Sequence, residues 1–336
     1  MTHEFKTIVE SYRLANKQGL NAVLATVVDL EGSSYRKPGV RMLILENGNM
    51  IGAVSGGCVE KDILRQSESV FKSGIAKMMT YDGRYRLGCE GILYILIEPF
   101  DPNETFLSCF ETTLKKRKPF QIKSYFKREV GELNNIGSVA FFDEESYPIS
   151  KKTKKDQSLL IFEEELKPCF KLMIFGAEHD AVQLCKLAHY NGWEVTIISG
   201  PLESKTILDF PGATSFFSVS PDALELESID DQTAIVLMSH NFSNDLKYLL
   251  ELKESKPAYL GMLGPSKRRE KLLSQFLEYC PDVDESFIEG IHGPAGLNIG
   301  AETPQEIAIS IVSEILSVVR NQVPMSLKEK LGRIHI

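Results

Sequence analysis

Leu172-Met173-Ile174-Phe175-Gly176-Ala177-Glu178-His179-Asp180-Ala181 is an apolar strand that breaks at a glycine and turns directly into a helix, and Trp193-Glu194-Val195-Thr196-Ile197-Ile198 supplies the next strand. A strand with no polar alternation is one buried on both faces, and a βαβ order brings the second strand back parallel to the first. Further runs at Thr214 to Val219, Thr233 to Met238 and Ala258 to Leu263 continue the series, with helical patterns between them. The second half of the chain is therefore expected to be a Rossmann-like, doubly wound parallel sheet.

The turn after the first of these strands departs from the dinucleotide fingerprint. That fingerprint, G-x-G-x-x-G/A, asks for a second glycine where Glu178 stands, and a carboxylate there both crowds and repels a pyrophosphate. The acidic residue that would hold a ribose is also missing, because the next strand runs into Ser199-Gly200-Pro201. Glu178 thus argues against NAD(P) as a ligand of this turn.

The first half carries two short glycine stretches, each with a cysteine: Ser55-Gly56-Gly57-Cys58-Val59-Glu60 and Leu87-Gly88-Cys89-Glu90-Gly91. Neither has the spacing of a zinc site. Cys58 follows the strand-like run Met50 to Val54 and precedes a helical pattern of Val59, Ile63 and Val70, with Glu60 and Asp62 in the first turn. A cysteine at a helix N-terminus sits among free N–H groups and the positive end of the dipole, which favour a thiolate or a bound anion. Such a thiolate suits sulfur transfer, soft-metal ligation or nucleophilic attack. The competing reading is a small buried thiol at a tight turn.

Upstream, Glu31-Gly32-Ser33-Ser34-Tyr35-Arg36-Lys37-Pro38-Gly39-Val40-Arg41-Met42 leads into a strand, the pair Asn47-Gly48, and the strand before Cys58. Asn-Gly between two such runs signals a hairpin, which would bring the hydroxyls and guanidiniums of Ser33, Ser34, Arg36 and Arg41 near the cysteine loop. Those groups suit a phosphate or an oxygen-rich pterin edge, and equally an exposed polar turn.

These motifs together closely resemble the XdhC/CoxI family, accessory proteins of molybdenum hydroxylases such as xanthine dehydrogenase. The resemblance rests on Gly32-Ser33-Ser34 with Arg36, Gly39 and Met42, on Ser55 to Glu60, and on Gly88-Cys89. In the second half it rests on Met238-Ser239-His240 with Asp245, on Tyr259 to Arg269, and on Ile291 to Gly300. It implies binding of molybdenum cofactor (molybdopterin) as cargo, help with its sulfuration by a cysteine desulfurase, and delivery to the hydroxylase apoenzyme in purine metabolism, by a homodimeric chaperone rather than a catalyst acting alone. The implied cofactor-binding residues are Ser33, Ser34, Arg36, Arg41, Ser55, Gly56, Gly57, Cys58, Glu60, Cys89, Gly176, His179, His240 and Gly296. Cys58 is the residue implied for molybdenum ligation or sulfur handling, with Cys89 in support. Two other functions stay open: an NAD(P)-dependent oxidoreductase built on the Rossmann half, and a docking partner of the hydroxylase that holds no cofactor.

Thr303-Pro304-Gln305-Glu306 forms a capping box with proline at the first helical position, launching a helix whose apolar stripe is Ile307, Ile311, Ile315 and Val319. The loop before it, Gly293 to Gly300, is rich enough in glycine to place N–H donors at a ligand. A helix is expected from about Glu4 to Lys17, another with Asp101-Pro102 as N-cap and first turn, and strands near Phe120 to Tyr125 and Ser138 to Phe142.

The expected organisation is an N-terminal mixed α/β domain, residues 1–168, with a polar loop near 143–157, then a Rossmann-like domain, 169–325, and a tail, 326–336. A net charge of −8 argues against a general nucleic-acid binder, and Lys115 to Lys118 and Lys151 to Lys155 read as solvated loop surface. No apolar run reaches membrane-spanning length and the N-terminus lacks a signal pattern, so a cytoplasmic location is expected. The six cysteines have no regular spacing and read as free thiols, with Cys109, Cys169, Cys185 and Cys280 as packing residues.

Overall fold

The computed structural model describes residues 2–32, 37–55, 57–83, 91–150, 158–223 and 229–330, with the backbone alone at Cys58. Ser33, Ser34, Arg36, Gly56, Cys89 and the lysine stretch 151–155 lie outside the described residues. The chain divides into two compact units, Met1–Cys169 and Phe170–Ile336.

The N-terminal unit runs α1 (Thr2–Lys17), β1 (Ala22–Glu31), β2 (Arg41–Leu45), β3 (Met50–Gly52), α2 (Cys58–Ser73), β4 (Lys77–Asp82), β5 (Ile92–Pro99), α3 (Glu104–Lys115), β6 (Phe120–Phe126), β7 (Gly131–Glu132), β8 (Gly137–Phe142), β9 (Glu145–Pro148) and β10 (Leu160–Leu166). Its strands form two antiparallel sheets, ordered β3-β2-β1-β5-β4-β7 and β10-β6-β8-β9. The apolar continuity of β1 follows from burial on both faces. Val23, Ala25 and Val27 pack with Val59, Ile63 and Val70 of α2, whereas Leu24 joins α1 and α3 over the second sheet. Each fully buried aliphatic side chain on α2 contributes roughly 1.5–3 kcal/mol to holding that helix down.

Asn47-Gly48 makes the expected hairpin: Met42 faces Gly52 and Ile44 faces Met50 across it, and Gly48 has φ +87°. The second strand stops at Gly52 rather than Val54. Gly52 has φ +84°, and a Cβ there would stand 2.8 Å from the Arg41 carbonyl oxygen. The cap of α3 also differs from expectation. Asn103, not Asp101, accepts the N–H of Phe106 at 2.8 Å, while the Asp101 N–H donates to the Ile149 carbonyl.

The C-terminal unit runs β11 (Lys171–Phe175), α4 (His179–Tyr190), β12 (Glu194–Ser199), β13 (Ala213–Ser218), β14 (Thr233–Leu237), α5 (Phe242–Leu252), β15 (Tyr259–Met262), α6 (Ser266–Tyr279), α7 (Glu285–Glu289), β16 (Ile291–His292) and α8 (Pro304–Val319). All six strands are parallel, in the order β13-β12-β11-β14-β15-β16. Numbered within the unit this is 3-2-1-4-5-6, the Rossmann order, which reverses direction between β11 and β14. Helices α4 and α8 cover one face, α5 and α6 the other. No α-helix joins β12 to β13. Pro201 and Pro211 punctuate that segment, and only a 3-10 turn, Ile207–Asp209, forms in it. Helix α8 has the expected capping box, with the Glu306 N–H donating to Thr303 Oγ1 at 3.3 Å. Among the described residues no helix is long and apolar enough to cross a membrane.

The core of the N-terminal unit holds one carboxyl group that packing does not explain. Glu98 on β5 is fully buried, accepts the Ser138 N–H at 2.8 Å, and burial pushes its pKa up from 4.5 to about 7. Between those two values the native state binds the extra proton, so stability falls as pH rises through this window and is level above it. Glu98→Gln is expected to flatten that slope and to exceed the parent stability by roughly 2–3 kcal/mol at about pH 8, with no gain near pH 4. Urea denaturation at both pH values checks this, and an equal effect at both would contradict it.

Candidate functional sites in the two units

In the N-terminal unit the cysteine loop is built around Glu60. This residue is the third of α2, and its carboxylate turns back to accept three backbone N–H groups: Val54 at 3.0 Å and Ser55 at 2.6 Å on Oε1, and Gly57 at 2.5 Å on Oε2. Only 7% of Glu60 is exposed, so these are charge-assisted bonds in a low-dielectric setting. Gly57 is the N-cap, with φ +128°, a conformation that L side chains rarely adopt. A glycine cap lacks the hydroxyl of a full capping box, and among the described residues it is the Glu60 side chain that closes the turn. The result is that Cys58 opens α2, at the end where unpaired N–H groups and the dipole stabilise negative charge. Val59 and Ile63, both fully buried, fix the helix behind it.

Arg41 lies differently from a surface ligand contact. Its side chain is 5% exposed, and its guanidinium sits between the two sheets, with Cζ 5.6 Å from the Phe5 ring centre. Nη1 donates to the Gly39 carbonyl at 2.9 Å and to Glu164 Oε2 at 2.6 Å. Gly39 has φ +100°, and a Cβ on it would stand 3.0 Å from Glu164 Oε2. Arg41 and Glu164 therefore hold the exit of the glycine-serine segment.

In the C-terminal unit the residues at the carboxyl ends of the strands converge where the strand order reverses, the place at which open α/β sheets bind ligands. Gly176 has φ +148° and packs so closely on the end of β14 that a Cβ would meet the Met238 carbonyl oxygen at 2.3 Å. Glu178 is the N-cap of α4 without making a side-chain cap bond; 57% of its side chain is exposed, and Lys205 Nζ is 3.9 Å away. His179 is exposed, with Nε2 3.4 Å from Gln183 Nε2. His240, with φ +55°, reaches Asp180 Oδ2 at 3.5 Å and so links the β14 loop to the first turn of α4. The loop is held from beneath by buried Asp245, which accepts from the Ser239 N–H at 3.3 Å and from Arg268 Nη2 at 2.5 Å.

Gly296 belongs to a different corner. Its N–H donates to Glu314 Oε2 at 2.8 Å, the same oxygen that accepts from Tyr259 Oη at 2.6 Å, and Glu314 Oε1 lies 3.5 Å from His292 Nδ1. A Cβ on Gly296 would stand 2.3 Å from Ser310 Oγ. That N–H is committed to α8.

The structure thus brings Ser55, Gly57, Cys58 and Glu60 into one turn, and Gly176, His179 and His240 into one crevice edge. Glu314 escaped the sequence reading, although a carboxylate between Ile311 and Ile315 on a buried stripe was a signal for it. Glu98, alone among the apolar residues of β5, was another. The four remaining cysteines form no disulfide with one another: Cys169 and Cys185 are buried, and Cys109 and Cys280 half-buried. Burial pushes the Cys185 thiol up to about 11, which makes it inert. Among the described residues no group of three or more His, Cys, Asp or Glu side chains is arranged to hold a metal ion.

Comparison with known proteins agrees with this geometry. Residues 15–82 match the model of the XdhC and CoxI family, and residues 172–315 match that of the XdhC Rossmann domain. A Bacillus subtilis (strain 168) protein named as a probable xanthine dehydrogenase subunit is 29% identical over 313 residues, which is 88% of this chain and 92% of that protein. The molybdenum cofactor insertion chaperone PaoD of Escherichia coli (strain K12) is 26% identical over 326 residues, 95% of this chain and 90% of its own length. A crystal structure described as a xanthine dehydrogenase from Bacillus halodurans superposes with a TM-score of 0.78 at 26% identity, covering 94% of this chain and 96% of that one. With both halves matched in order, and the Rossmann strand order present in the second, the chain belongs to the XdhC and CoxI family.

Proposed function

We propose that this protein is a maturation factor of a molybdenum hydroxylase of the xanthine dehydrogenase type: it holds molybdenum cofactor as cargo, assists its sulfuration by a cysteine desulfurase, and hands it to the apoenzyme. The observation that carries this reading is the Glu60-clamped turn that sets Cys58 at the head of α2. The similarity to a cofactor insertion chaperone over 95% of the chain supports it. In this reading the Cys58 thiolate ligates the metal centre or carries the sulfur, with Cys89 in support. Ser33, Ser34 and Arg36 take the anionic edge of the pterin beside the turn of Ser55, Gly56 and Gly57, in which Glu60 already holds the Ser55 and Gly57 N–H groups, and Arg41 acts from inside by fixing Gly39. In the C-terminal unit Gly176, His179 and His240 offer a second set of contacts, and Gly296 supports the fold. The protein works as a homodimeric carrier in the cytoplasm, in purine metabolism, rather than as a catalyst of its own.

A nicotinamide-dependent oxidoreductase is the second reading, favoured by the 3-2-1-4-5-6 strand order. Against it stand Glu178 at the place of the second fingerprint glycine and Ser199-Gly200 where the ribose-binding acid would be.

Loaded with molybdenum cofactor and mixed with cofactor-free hydroxylase, the protein is expected to restore hydroxylase activity. Cys58→Ala should cut that activation at least about tenfold, whereas Cys109→Ser, in a half-buried packing position, leaves it intact. Equal activation by both variants would remove Cys58 from the mechanism. Glu60→Ala orphans three N–H groups; it should abolish activation and also cost roughly 2–3 kcal/mol of stability in a denaturation experiment. A fluorescence titration with NADH is expected to show no saturation at micromolar concentrations, and saturation there would restore the dehydrogenase reading.

A further inference from the structure

The space between the two sheets of the N-terminal unit contains polar atoms that packing has not satisfied. Arg41 lies opposite Thr26 across β2 and β1, and Glu98 lies opposite Leu24 across β5 and β1. The guanidinium directs Nη1 to Gly39 and Glu164, while its Nε and Nη2 are buried without a hydrogen-bond partner. Oε2 of Glu98 accepts from Ser138, and its Oε1 is buried and unpartnered too, as is Thr26 Oγ1. An unmade hydrogen bond at a buried guanidinium or carboxyl group is among the most destabilising defects a core can carry. One guanidinium therefore has a carboxylate in hand, Glu164, and two free donors in a core that holds a second carboxyl group with a free acceptor.

The charged and titratable surroundings favour exchange between the two. Arg41 on β2 is the cation that acts on Glu98, lowering its pKa, while Asp101, just beyond β5, raises it. Tyr12 on α1 is itself held protonated by burial and by Asp101. From the other sheet come Glu164 on β10, through Arg41, and the hydroxyls of Ser124 and Ser138, which hydrogen-bond to each other at 2.7 Å. With Glu98 neutral, Arg41 stays with Glu164. Once Glu98 loses its proton to solvent, the core holds an uncompensated carboxylate whose only described cationic neighbour is Arg41.

We propose that Arg41 is a positioning residue with two alternative partners. Paired with Glu164 it grips the Gly39 carbonyl and fixes the exit of the glycine-serine segment; drawn inward to an ionised Glu98 it lets that grip go. Cofactor affinity then falls as pH rises past neutrality. This rests on the function proposed above only in its last step, because the movement of Arg41 is a property of the unit itself.

The test measures the grip without any cofactor. The Gly39 N–H donates to the Val27 carbonyl at 2.8 Å, and the Val27 N–H to the Val40 carbonyl at 3.0 Å. Amide-exchange protection of Gly39 and Val27, corrected for the intrinsic pH dependence, should fall about tenfold in the full chain between roughly pH 6 and 8. The fall should follow the titration of the Glu98 carboxyl observed by 13C NMR. In Glu98→Gln, a neutral isostere, protection should stay high at both pH values; in Glu164→Gln it should be low at both. Protection that is flat while Glu98 titrates, or an unchanged fall in Glu98→Gln, overturns the proposal, and the second comparison decides it even if Glu164→Gln does not fold. Molybdenum cofactor affinity measured on the same samples should weaken with pH in the parent and not in Glu98→Gln. A switch in exchange with no cofactor binding at any pH leaves the Arg41 mechanism standing and refutes the carrier function.

Discussion

The candidate site of the N-terminal unit depends on one buried carboxylate. Glu60 collects the N–H groups of Val54, Ser55 and Gly57, and by doing so bends the chain leaving β3 into the first turn of α2. Without it the glycine cap would offer no side-chain acceptor to the turn, and the backbone around Cys58 would be free to sample many conformations. A charge-assisted bond to a backbone N–H contributes roughly 1.5–3 kcal/mol. Three of them suffice to hold a glycine-rich turn whose intrinsic preference is to be loose.

The same device recurs in the C-terminal unit. Asp245 holds Ser239 and is itself held by Arg268, so that the loop carrying His240 is stiff despite a positive φ. Glu314 gathers the Gly296 N–H and the Tyr259 hydroxyl, pinning the loop between β16 and α8. Each of these acids, Glu60, Asp245 and Glu314, organises a loop that contains a positive-φ residue, Gly57, His240 and Gly296 respectively. Preorganised loops of this kind suit a carrier, which must present polar groups to a large anionic cargo without first losing the entropy of arranging them.

Much of this was legible in the amino-acid sequence where the signal is local. The inner Rossmann strands β11, β14 and β15 announce themselves as apolar runs because they are buried on both faces, and Asn47-Gly48 and Thr303-Pro304-Gln305-Glu306 carry their geometry within four residues. The position of Cys58 at a helix start was equally local. Long-range pairing was not. Arg41 reads as a surface donor beside a glycine-serine loop, and only its partner Glu164, on a strand far along the chain, shows that it points inward. Asp101 and Asn103 are both good N-caps; Asn103 takes the role, its Oδ1 accepting the Phe106 N–H, while the Asp101 N–H donates to the Ile149 carbonyl from another part of the unit. Helical patterns also overreached between β12 and β13, where Pro201 and Pro211 leave room for a single 3-10 turn. Ser33, Ser34, Arg36, Gly56 and Cys89 lie outside the described residues, so their part in the site rests on the family resemblance.

What most directly decides whether this turn holds the cargo is the amount of molybdenum and pterin that stays with the purified protein after anaerobic incubation with molybdenum cofactor, compared with Cys58→Ala. Retention near one equivalent per chain that is lost in the variant is the expected result, and it places the cargo at the head of α2. Retention unchanged by the substitution, or absent from the parent protein, would contradict it.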